Sequence, residues 1–245
     1  MTQPALATLG TLQQPLMIAL TGASGSGKTT LCRELARALD GLHFPLDHYY
    51  RDLSHLPPEQ RAATNFDDPA MLEAELLTRH LSVLARGQAI ERPIYDFATH
   101  SRVLGQTETI QPRGVILAEG LFAWSYASVR PLFHFSVYVD APDSLCFDRR
   151  LRRDVEERGR TPDSVRQQYD STVRPCGLAF VRPLAELMDL TIDGSDALDF
   201  KVEAVIATLR RRRLLQSEAL QRKEQQHRSV IPLMGTDPKA FSGKV

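Results

Sequence analysis

The sequence has few cysteines, no long apolar run and no excess of either charge. Its three cysteines, Cys32, Cys146 and Cys176, are far apart and form no CxxC pair, so neither a disulfide framework nor a zinc site is indicated. No run of about 18 apolar residues is present, and we expect no transmembrane helix. Basic and acidic side chains balance at 30 each, which argues against a nucleic-acid-binding protein. Together these absences favour reduced thiols in a cytoplasmic protein with no nucleic-acid or membrane partner.

The amino-terminal residues also lack the marks of a targeting segment. Residues 1–15 contain neither a basic start nor a long apolar stretch, so we expect no signal peptide and interpret them as a flexible leader. The sequence shows no internal repeat. With 245 residues, of which 42% are hydrophobic, it is long enough for one α/β domain with a sizeable core.

Apolar strand-like runs alternate with helical patterns along the chain. The predicted strands are 16–21, 42–46, 114–118, 135–139 and 189–192. The predicted helices are 28–39, 69–86 (starting at Asp68-Pro69 and stopped by Gly87), 142–157, part of 163–187, and 197–213. Such alternation is typical of an α/β fold in which helices cover both faces of a parallel sheet. Residues 88–112 are rich in polar, aromatic and turn-forming types and predict an inserted β-hairpin.

The most specific motif is a glycine-rich phosphate-binding loop between the first predicted strand and the first predicted helix. It consists of Gly22, Ala23, Ser24, Gly25, Ser26, Gly27, Lys28 and Thr29, followed by Thr30. Glycines let consecutive backbone N–H groups point at phosphate oxygens, and the helix amino terminus adds partial positive charge. Lys28 is expected to reach the β- and γ-phosphates, and the Thr29 hydroxyl to hold Mg²⁺. The loop therefore predicts binding of a nucleoside triphosphate, which kinases, GTPases, motors and transporter subunits share.

Two acids follow the second and third predicted strands, namely Asp47 and Glu119. Because ligands of a parallel sheet bind beyond the carboxyl ends of its strands, both acids are expected beside the phosphate loop. There, Asp47 could accept the proton of an attacking hydroxyl, and Glu119 could hold Mg²⁺ directly or through water. The alternatives are a turn or cap aspartate and a solvated glutamate at a strand end. The spacing of His43 and His48 does not suit a metal site.

A run dense in charge lies within residues 149–162. Such a run is usually a solvated helix face held by ion pairs between residues four apart. However, Arg150 and Arg153 share a helix face, and Gly159 breaks the helix before Arg160. This arrangement suits an Arg-rich lid that closes over phosphates and excludes water from the group being transferred.

Taken together, these segments resemble the uridine-cytidine kinase family over about residues 16–195. The ordered motifs that carry the resemblance are the phosphate loop, Asp47-His48-Tyr49-Tyr50-Arg51-Asp52, Asn65-Phe66-Asp67-Asp68-Pro69, Pro93-Ile94-Tyr95-Asp96-Phe97-Ala98-Thr99-His100-Ser101-Arg102, Glu119-Gly120, the arginine run, and Gln168-Tyr169 with Val173-Arg174-Pro175. Apart from the loop each motif is weak, but their order and spacing make the match specific.

The resemblance implies a P-loop NTPase fold like that of nucleoside monophosphate kinases, with a kinase domain over 16–213, a base-recognition hairpin at 88–112 and a lid at 149–162. It implies transfer of the γ-phosphoryl group of ATP (or GTP) to the 5′-hydroxyl of uridine or cytidine, with Mg²⁺, in pyrimidine salvage. A small-molecule nucleoside would be the partner, and the family is often tetrameric. Residues 214–245, which the resemblance does not cover, are predicted to be a polar helical extension and a disordered tail.

The resemblance also implies roles for residues at matching positions. Asp47 is implied to be the general base, near Mg²⁺, while Lys28, Arg153 and Arg160 act near the phosphates. The residues implied to hold the nucleoside are Asp67, Arg150 and Gln168 for the ribose hydroxyls, Tyr95 and His100 for the pyrimidine edge, Phe97 as a stacking or packing surface, and Tyr50. Because imidazole donates or accepts according to its tautomer, His100 could serve both uracil and cytosine.

Two other classes of function are compatible with the phosphate loop. Phosphoribulokinase-like or pantothenate-kinase-like enzymes share the loop and lid, although a sugar phosphate would need a second anionic pocket. A GTP-hydrolysing switch or a non-enzymatic nucleotide-binding regulator is the second alternative. The guanine-reading Asn-Lys-x-Asp motif is absent from the chain, and a degenerate kinase would have lost Lys28 or Asp47. Both observations favour the kinase.

Overall fold

The computed structural model describes residues 14–215, which form a five-stranded sheet, a separate two-stranded hairpin and flanking helices. The strands are β1 (Leu16–Gly22), β2 (Leu42–Pro45), β3 (Ile90–Asp96), β4 (Ser101–Ile110), β5 (Val115–Glu119), β6 (Phe135–Asp140) and β7 (Leu190–Asp193). The α-helices are α1 (Lys28–Ala38), α2 (Pro58–Ala62), α3 (Ala74–Ala85), α4 (Asp143–Glu156), α5 (Pro162–Gln168), α6 (Arg174–Cys176) and α7 (Leu198–Arg211). Shorter 3₁₀ turns span Leu46–Tyr49, Pro69–Met71, Arg130–Leu132 and Arg182–Leu187, and π-helical turns span Tyr169–Val173 and Gly177–Val181.

The main sheet is parallel throughout, in the order β2-β5-β1-β6-β7. Each of the five strands predicted from apolar runs is present with ends that differ by one residue at most. The predicted α/β fold class is therefore confirmed. The order makes β1 central, so the carboxyl ends of β2 and β5 adjoin the phosphate loop that follows β1.

Alternate residues of the strands face the two helical layers. Met17 of β1 and Ile116 of β5 belong to one buried cluster with Leu77 and Leu81 of α3. On the opposite face, Cys32 of α1 lies against the carbonyl oxygen of Leu117 at 3.6 Å. Both faces are covered, and for this reason most side chains of the five sheet strands are apolar.

The helix predicted at 69–86 begins later than expected. Asp68 does accept a hydrogen bond from the Ala70 N–H, but it caps only the 3₁₀ turn Pro69–Met71. Leu72 then takes an extended conformation and forms a bridge with Tyr50, so the α-helix starts only at Ala74. Long-range pairing, which periodicity cannot reveal, overrides the local start signal. The predicted stop is confirmed, since α3 ends two residues before Gly87, whose φ is 75°.

The predicted insertion is an antiparallel hairpin formed by β3 and β4. The predicted leader and the predicted extension and tail, residues 1–15 and 214–245, lie almost wholly outside the described residues. The first compact unit of the chain ends at Ile206, and a second begins at Ala207. Between residues 14 and 215, no helix has the length and apolar character needed to cross a membrane.

Candidate active site

The phosphate loop connects β1 to α1 and is shaped by its glycines. Gly25 and Gly27 adopt left-handed backbone angles, with φ of 86° and 99°. A Cβ on Gly25 would collide with the carbonyl oxygen of Cys146 in α4, so only glycine fits there. The Lys28 ammonium lies 3.4 Å from the carbonyl oxygen of Ala23, folded back over the loop. Such a tight turn at a helix amino terminus suits the binding of phosphate.

Glu119 ends β5 beside this loop and contacts two side chains. Its Oε2 accepts a hydrogen bond from Thr29 Oγ1 at 3.2 Å, and its Oε1 lies 3.4 Å from His43 Nε2. Burial favours a higher pKa for Glu119, but contacts with His43, Lys28 and Thr29 outweigh burial and lower the pKa. Glu119 is therefore ionised at neutral pH, and His43, which we did not expect here, helps to hold it.

Asp47 follows β2, in the 3₁₀ turn Leu46–Tyr49, at the same edge of the sheet. Burial, reinforced by the negative charge of Glu119, raises the pKa of Asp47 to about 6. The N-cap residue of this turn is Pro45, and no side-chain hydrogen bond caps it. A carboxylate whose pKa lies close to neutrality is well suited to accept a proton from a hydroxyl group.

Thr29, Asp47 and Glu119 supply oxygen atoms of the kind that Mg²⁺ prefers. Among residues 14–215, no group of three or more His, Cys, Asp or Glu side chains could enclose a metal ion. A Mg²⁺ ion on a nucleotide does not need such an enclosure, because it keeps several waters and uses phosphate oxygens with one or two carboxylates. The three residues therefore fit a magnesium–nucleotide complex rather than a resident metal.

One cavity of about 760 Å³ opens over these groups and reaches the hairpin. All residues predicted to bind the nucleoside line it, namely Tyr50, Asp67, Tyr95, Phe97, His100, Arg150 and Gln168. The predicted phosphate and metal residues that line it are Ser24, Lys28, Thr29, Asp47, Glu119, Arg153 and Arg160. The predicted site residues outside its lining are Gly22, Ala23, Gly25, Ser26, Gly27 and the exposed Thr30. The cavity volume is in the range of small-molecule sites.

An aromatic wall, which we define as Tyr50, Phe66, Tyr95, Phe97 and His100, forms the hairpin side of the cavity. The His100 ring stacks on Phe66, with centroids 5.1 Å apart and 20° between the planes. The Tyr95 ring centroid lies 5.7 Å from that of Tyr50 and 5.3 Å from that of Phe97. The buried Tyr95 hydroxyl has no hydrogen-bond partner among the described residues. It is therefore free to bond a polar atom of a ligand.

His100 adds a neutral polar group to this wall. Burial lowers its pKa, and the positive charges of Arg158 and Arg160 lower it further. At neutral pH the imidazole thus carries one donor and one acceptor nitrogen. Its backbone φ is 51°, a left-handed angle that places the residue at the turn between β3 and β4.

Arg102 of β4 anchors the hairpin to the segment that follows Asp47. Its Nε donates to the carbonyl oxygen of Tyr50 at 3.0 Å, and its Nη2 lies 3.4 Å from that of Tyr49. Its Nη1 pairs with Glu73 Oε2 at 3.1 Å, and its backbone N–H donates to Asp52 Oδ1 at 3.2 Å. These contacts fix the aromatic wall relative to the sheet edge.

Asp67 and Arg150 are buried on the far side of the cavity. Burial raises the pKa of Asp67, and the positive charge of Arg150 opposes that effect. Arg150 Nη1 donates to Ser24 Oγ at 2.8 Å, and its Nη2 donates to Gln168 Oε1 at 3.0 Å. A carboxylate beside a guanidinium offers the acceptors and donors that a pair of neighbouring hydroxyl groups requires.

The predicted lid overlaps α4, as the predicted helix at 142–157 implies. Its first part belongs to α4, which ends at Glu156, and only 157–161 is non-helical, with φ of 65° at Gly159. Arg149 points away from the cavity and donates to the carbonyl oxygens of Ser26 and Gly194, both at 3.2 Å. Lid motion stays a prediction.

Several residues of this region were not predicted as part of the site, including Phe66, Arg158, His43 and Asp154. Phe66 and Arg158 line the cavity, His43 contacts Glu119, and Asp154 contacts several arginines. Phe66 and Arg158 stand beside predicted residues in their motifs, so proximity in sequence was a usable signal. Asp154 also stands beside a predicted residue, Arg153, but its burial among the arginines depends on helix orientation, and His43 gave no signal because its contact depends on strand pairing.

Comparison with known proteins agrees with this geometry. The model of the phosphoribulokinase / uridine kinase family matches residues 17–200. A uridine kinase from Chloroflexus aggregans is 42% identical over 198 residues, which cover 80% of this chain and 94% of the relative. A uridine kinase from Escherichia coli K12 is 42% identical over 186 residues, 73% of this chain and 87% of the relative.

Solved structures support the fold. The structure of a possible uridine kinase from Bacillus stearothermophilus superposes with a TM-score of 0.51 at 19% identity, covering 76% of this chain and 92% of that one. Since the family match spans most of the chain and includes every segment that lines the cavity, the protein belongs to the phosphoribulokinase / uridine kinase family.

Proposed function

We propose that this protein is a uridine/cytidine kinase that transfers the γ-phosphoryl group of ATP to the nucleoside 5′-hydroxyl, giving UMP or CMP. The observation that carries the proposal is a single cavity in which a phosphate loop, Asp47, the Asp67–Arg150 pair and an aromatic wall meet. A neutral nucleoside offers a planar base, a ribose diol and a primary hydroxyl. Each of these parts has a chemically matched group in the cavity.

In the proposed mechanism, the wall and the diol pair orient the nucleoside. Its base packs against the aromatic rings, while the Tyr95 hydroxyl and the His100 imidazole bond the pyrimidine edge. Asp67 accepts from the ribose hydroxyls and Arg150 donates to them, with Gln168 assisting. This orientation presents the 5′-hydroxyl to Asp47, which accepts its proton as the oxygen attacks the γ-phosphorus and the bond from that phosphorus to the departing ADP breaks.

The donor phosphates lie on the other side of Asp47 in this proposal. The backbone of residues 22–27 cradles them, and Lys28 contacts the β- and γ-phosphates. Arg153 and Arg160 neutralise charge on the phosphoryl group during transfer. Thr29, Asp47 and Glu119 would hold Mg²⁺, which would neutralise part of the negative charge on the donor phosphates.

The cellular setting stays a prediction. The proposed reaction returns free pyrimidine nucleosides to the nucleotide pool, which is a salvage role. GTP as an alternative donor, the cytoplasmic location and the tetramer expected from the resemblance are untested.

Phosphoribulokinase-like chemistry is the second candidate, because the family includes such enzymes. A sugar phosphate would have to place its own phosphate against cations, while the hairpin side of the cavity offers mainly aromatic groups. The aromatic wall therefore favours a base-bearing acceptor.

The decisive experiment measures ADP release from MgATP with uridine, cytidine, adenosine, ribulose 5-phosphate and pantothenate offered separately. We expect turnover with uridine or cytidine only, and a loss of at least about 10³-fold in Asp47→Asn. The exposed Asp148, on α4, provides the matched control Asp148→Asn, which is expected to keep full activity. Absence of pyrimidine-dependent turnover would overturn the proposal, and the other acceptors would then identify the kinase class. ADP release without any acceptor would instead favour a hydrolytic switch.

A further inference from the structure

Asp154 of α4 occupies an unusual electrostatic position. Its side chain is fully buried, with 0% exposure, and four guanidinium groups surround it. Oδ1 accepts from Arg153 at 2.9 and 3.0 Å and lies 3.4 Å from Arg158 Nη1. Oδ2 lies 3.4 Å from Arg150 Nε and 3.6 Å from Arg160 Nη1. Each carboxylate oxygen therefore lies within ion-pair distance of two arginines, and Oδ1 also accepts hydrogen bonds whereas Oδ2 has no hydrogen-bond partner among the described residues.

All four arginines line the cavity, whereas Asp154 does not. The carboxylate thus lies behind the guanidiniums, on the side away from the bound reactants. Among the described residues, no other carboxylate lies within 4.0 Å of Arg153 or Arg158. Asp154 is the one carboxylate within ion-pair distance of both arginines, while Asp47 and Asp67 act on members of the cluster from farther away.

The charge of this cluster is unbalanced. Four guanidinium groups lie within ion-pair distance of this one carboxylate, which offsets a single positive charge. The remaining positive charge faces the cavity, where the phosphates of the donor are expected. Without Asp154, four like charges would be held close together and would have to move apart into solvent.

The cluster also connects the two halves of the site. Arg150 bonds Ser24 of the phosphate loop and Gln168 of α5, and Arg160 donates to the same Gln168 oxygen. The backbone N–H of Arg160 donates to the carbonyl oxygen of Asp154 at 3.1 Å, which ties the segment after α4 back onto the helix. A shift of the Asp154 carboxylate would therefore displace side chains beside both the phosphate donor and the acceptor.

We propose that Asp154 is a positioning residue whose buried carboxylate holds Arg150, Arg153, Arg158 and Arg160 at the spacing needed to contact both reactants. The inference rests on the proposed function for the identity of those reactants. Asp154 touches neither of them and exchanges no proton with them. Its effect on phosphoryl transfer passes entirely through the arginines.

Kinetics of Asp154→Asn, beside Asp154→Glu and the α4 control Asp148→Asn, test the proposal. Asn keeps the shape of the side chain and removes its charge, so we expect kcat to fall by about 30- to 300-fold. The Kd of MgADP should stay within about threefold, because MgADP lacks the phosphoryl group that Arg153 and Arg160 are proposed to contact, and its other phosphates are held mainly by the backbone of the loop. Asp154→Glu keeps the charge but moves it by one methylene. Its kcat should therefore lie between those of the wild type and Asp154→Asn. Asp148→Asn should match the wild type.

Two results would overturn the proposal. One is a kcat for Asp154→Asn within about threefold of wild type, and the other is an equal loss of kcat and MgADP affinity, which indicates general damage to the fold. If the Asn variant does not fold, Asp154→Glu decides. A tenfold lower kcat with MgADP binding retained supports positioning, and a wild-type kcat refutes it.

A second measurement needs no nucleoside and so separates this inference from the proposed function. Melting temperatures are compared in about 20 mM sodium sulfate and in sodium chloride of equal ionic strength. The uncompensated arginines of Asp154→Asn should bind sulfate, so sulfate should raise its melting temperature more than that of Asp148→Asn. Equal responses would refute the charge-balancing role. Failure of wild-type turnover with pyrimidine nucleosides would refute the proposed function and leave this comparison standing.

Discussion

The phosphate loop and the aromatic wall face the same cavity but are built in different ways. The loop is one stretch of consecutive residues whose backbone angles define its shape, as at Gly25 and Gly27. The wall gathers side chains from a span of fifty residues, and it depends on ring contacts and on the Arg102 anchor. The donor side of the site is therefore a backbone structure, and the acceptor side is a side-chain structure.

This difference predicts how each side tolerates change. A backbone cradle fails abruptly when a Cβ enters it, because neighbouring main-chain atoms cannot move away. A side-chain wall loses one contact at a time, so its variants should change affinity for the nucleoside in steps while the donor side is unaffected. Four experiments test this difference between the two sides of the site. They are given in order of decreasing expected effect.

Gly25→Ala should have the largest effect. The new Cβ would collide with the Cys146 carbonyl, and the φ of 86° is itself unfavourable for alanine. We expect kcat/KM for MgATP to fall at least about 100-fold. Gly87→Ala is the matched control, since Gly87 has a φ of 75° but no atom within 4 Å of the added Cβ. If both variants lost equal activity, backbone strain rather than the collision would be the cause.

His100→Asn tests the wall. Asparagine tolerates the φ of 51° better than alanine does, so the variant removes the imidazole with little backbone strain. The KM values for uridine and cytidine should both rise about 10- to 30-fold, because the bond to the base and the stack on Phe66 are lost. The KM for MgATP should not change. His55→Asn, at an exposed position, is the control. An effect on MgATP alone would contradict a wall that acts only on the nucleoside.

Asp47 lies where loop and wall meet, and its ionisation should cost stability. Burial raises its folded pKa to about 6, above the unfolded value, so the folded state favours the protonated form. The resulting stabilisation is present at low pH and is lost as pH rises through about 6. Replacing Asp47 by a neutral residue should therefore raise the free energy of unfolding most at high pH.

Denaturation in EDTA, without nucleotide, measures this effect. Asp47→Asn should exceed the wild type in free energy of unfolding by about 1–2 kcal/mol at pH 8, and by little at about pH 4. Asp148→Asn should show no such pH-dependent gain. A gain of equal size at both pH values would mean that buried charge is not its source.

Tyr95→Phe should have the smallest effect, and it should separate nucleoside binding from stability most clearly. Its hydroxyl has no partner among the described residues, so removing it should leave the melting temperature unchanged or slightly higher. The KM for uridine should nevertheless rise about fivefold, since a bond to the base is lost. Tyr126→Phe is the opposite control, because its hydroxyl donates to the Pro69 carbonyl at 2.6 Å. That change should lower stability and leave KM unaltered.

The parts of the fold that follow from local sequence could be predicted. The sheet strands are buried on both faces, so they occur as apolar runs, and their ends were correct to within a residue. The phosphate loop is contiguous, and its motif alone identified it. The hairpin was expected from composition and from the resemblance, and the residues assigned to it line the cavity.

Long-range contacts account for what the sequence could not predict. The delayed start of α3 depends on the bridge between Leu72 and Tyr50, and the role of His43 depends on the pairing of β2 with β5. The arginine run suggested a solvated helix face or a lid. The turn of α4 that buries Asp154 among its arginines is set by packing, which charge patterning does not encode.

The Arg102 anchor has a consequence for how specificity can change. Its guanidinium bonds the main-chain carbonyl oxygens of Tyr49 and Tyr50 rather than their side chains. These two bonds therefore do not depend on which side chains those residues carry. The part of the hairpin beyond it resembles an exchangeable module, held at its base by the Arg102 guanidinium and nearer its tip by hydrogen bonds with His48 and Arg61. Substitutions between Tyr95 and His100 can therefore adapt the site to new acceptors. The Arg102 contacts, and with them the alignment of the hairpin to Asp47, remain unchanged.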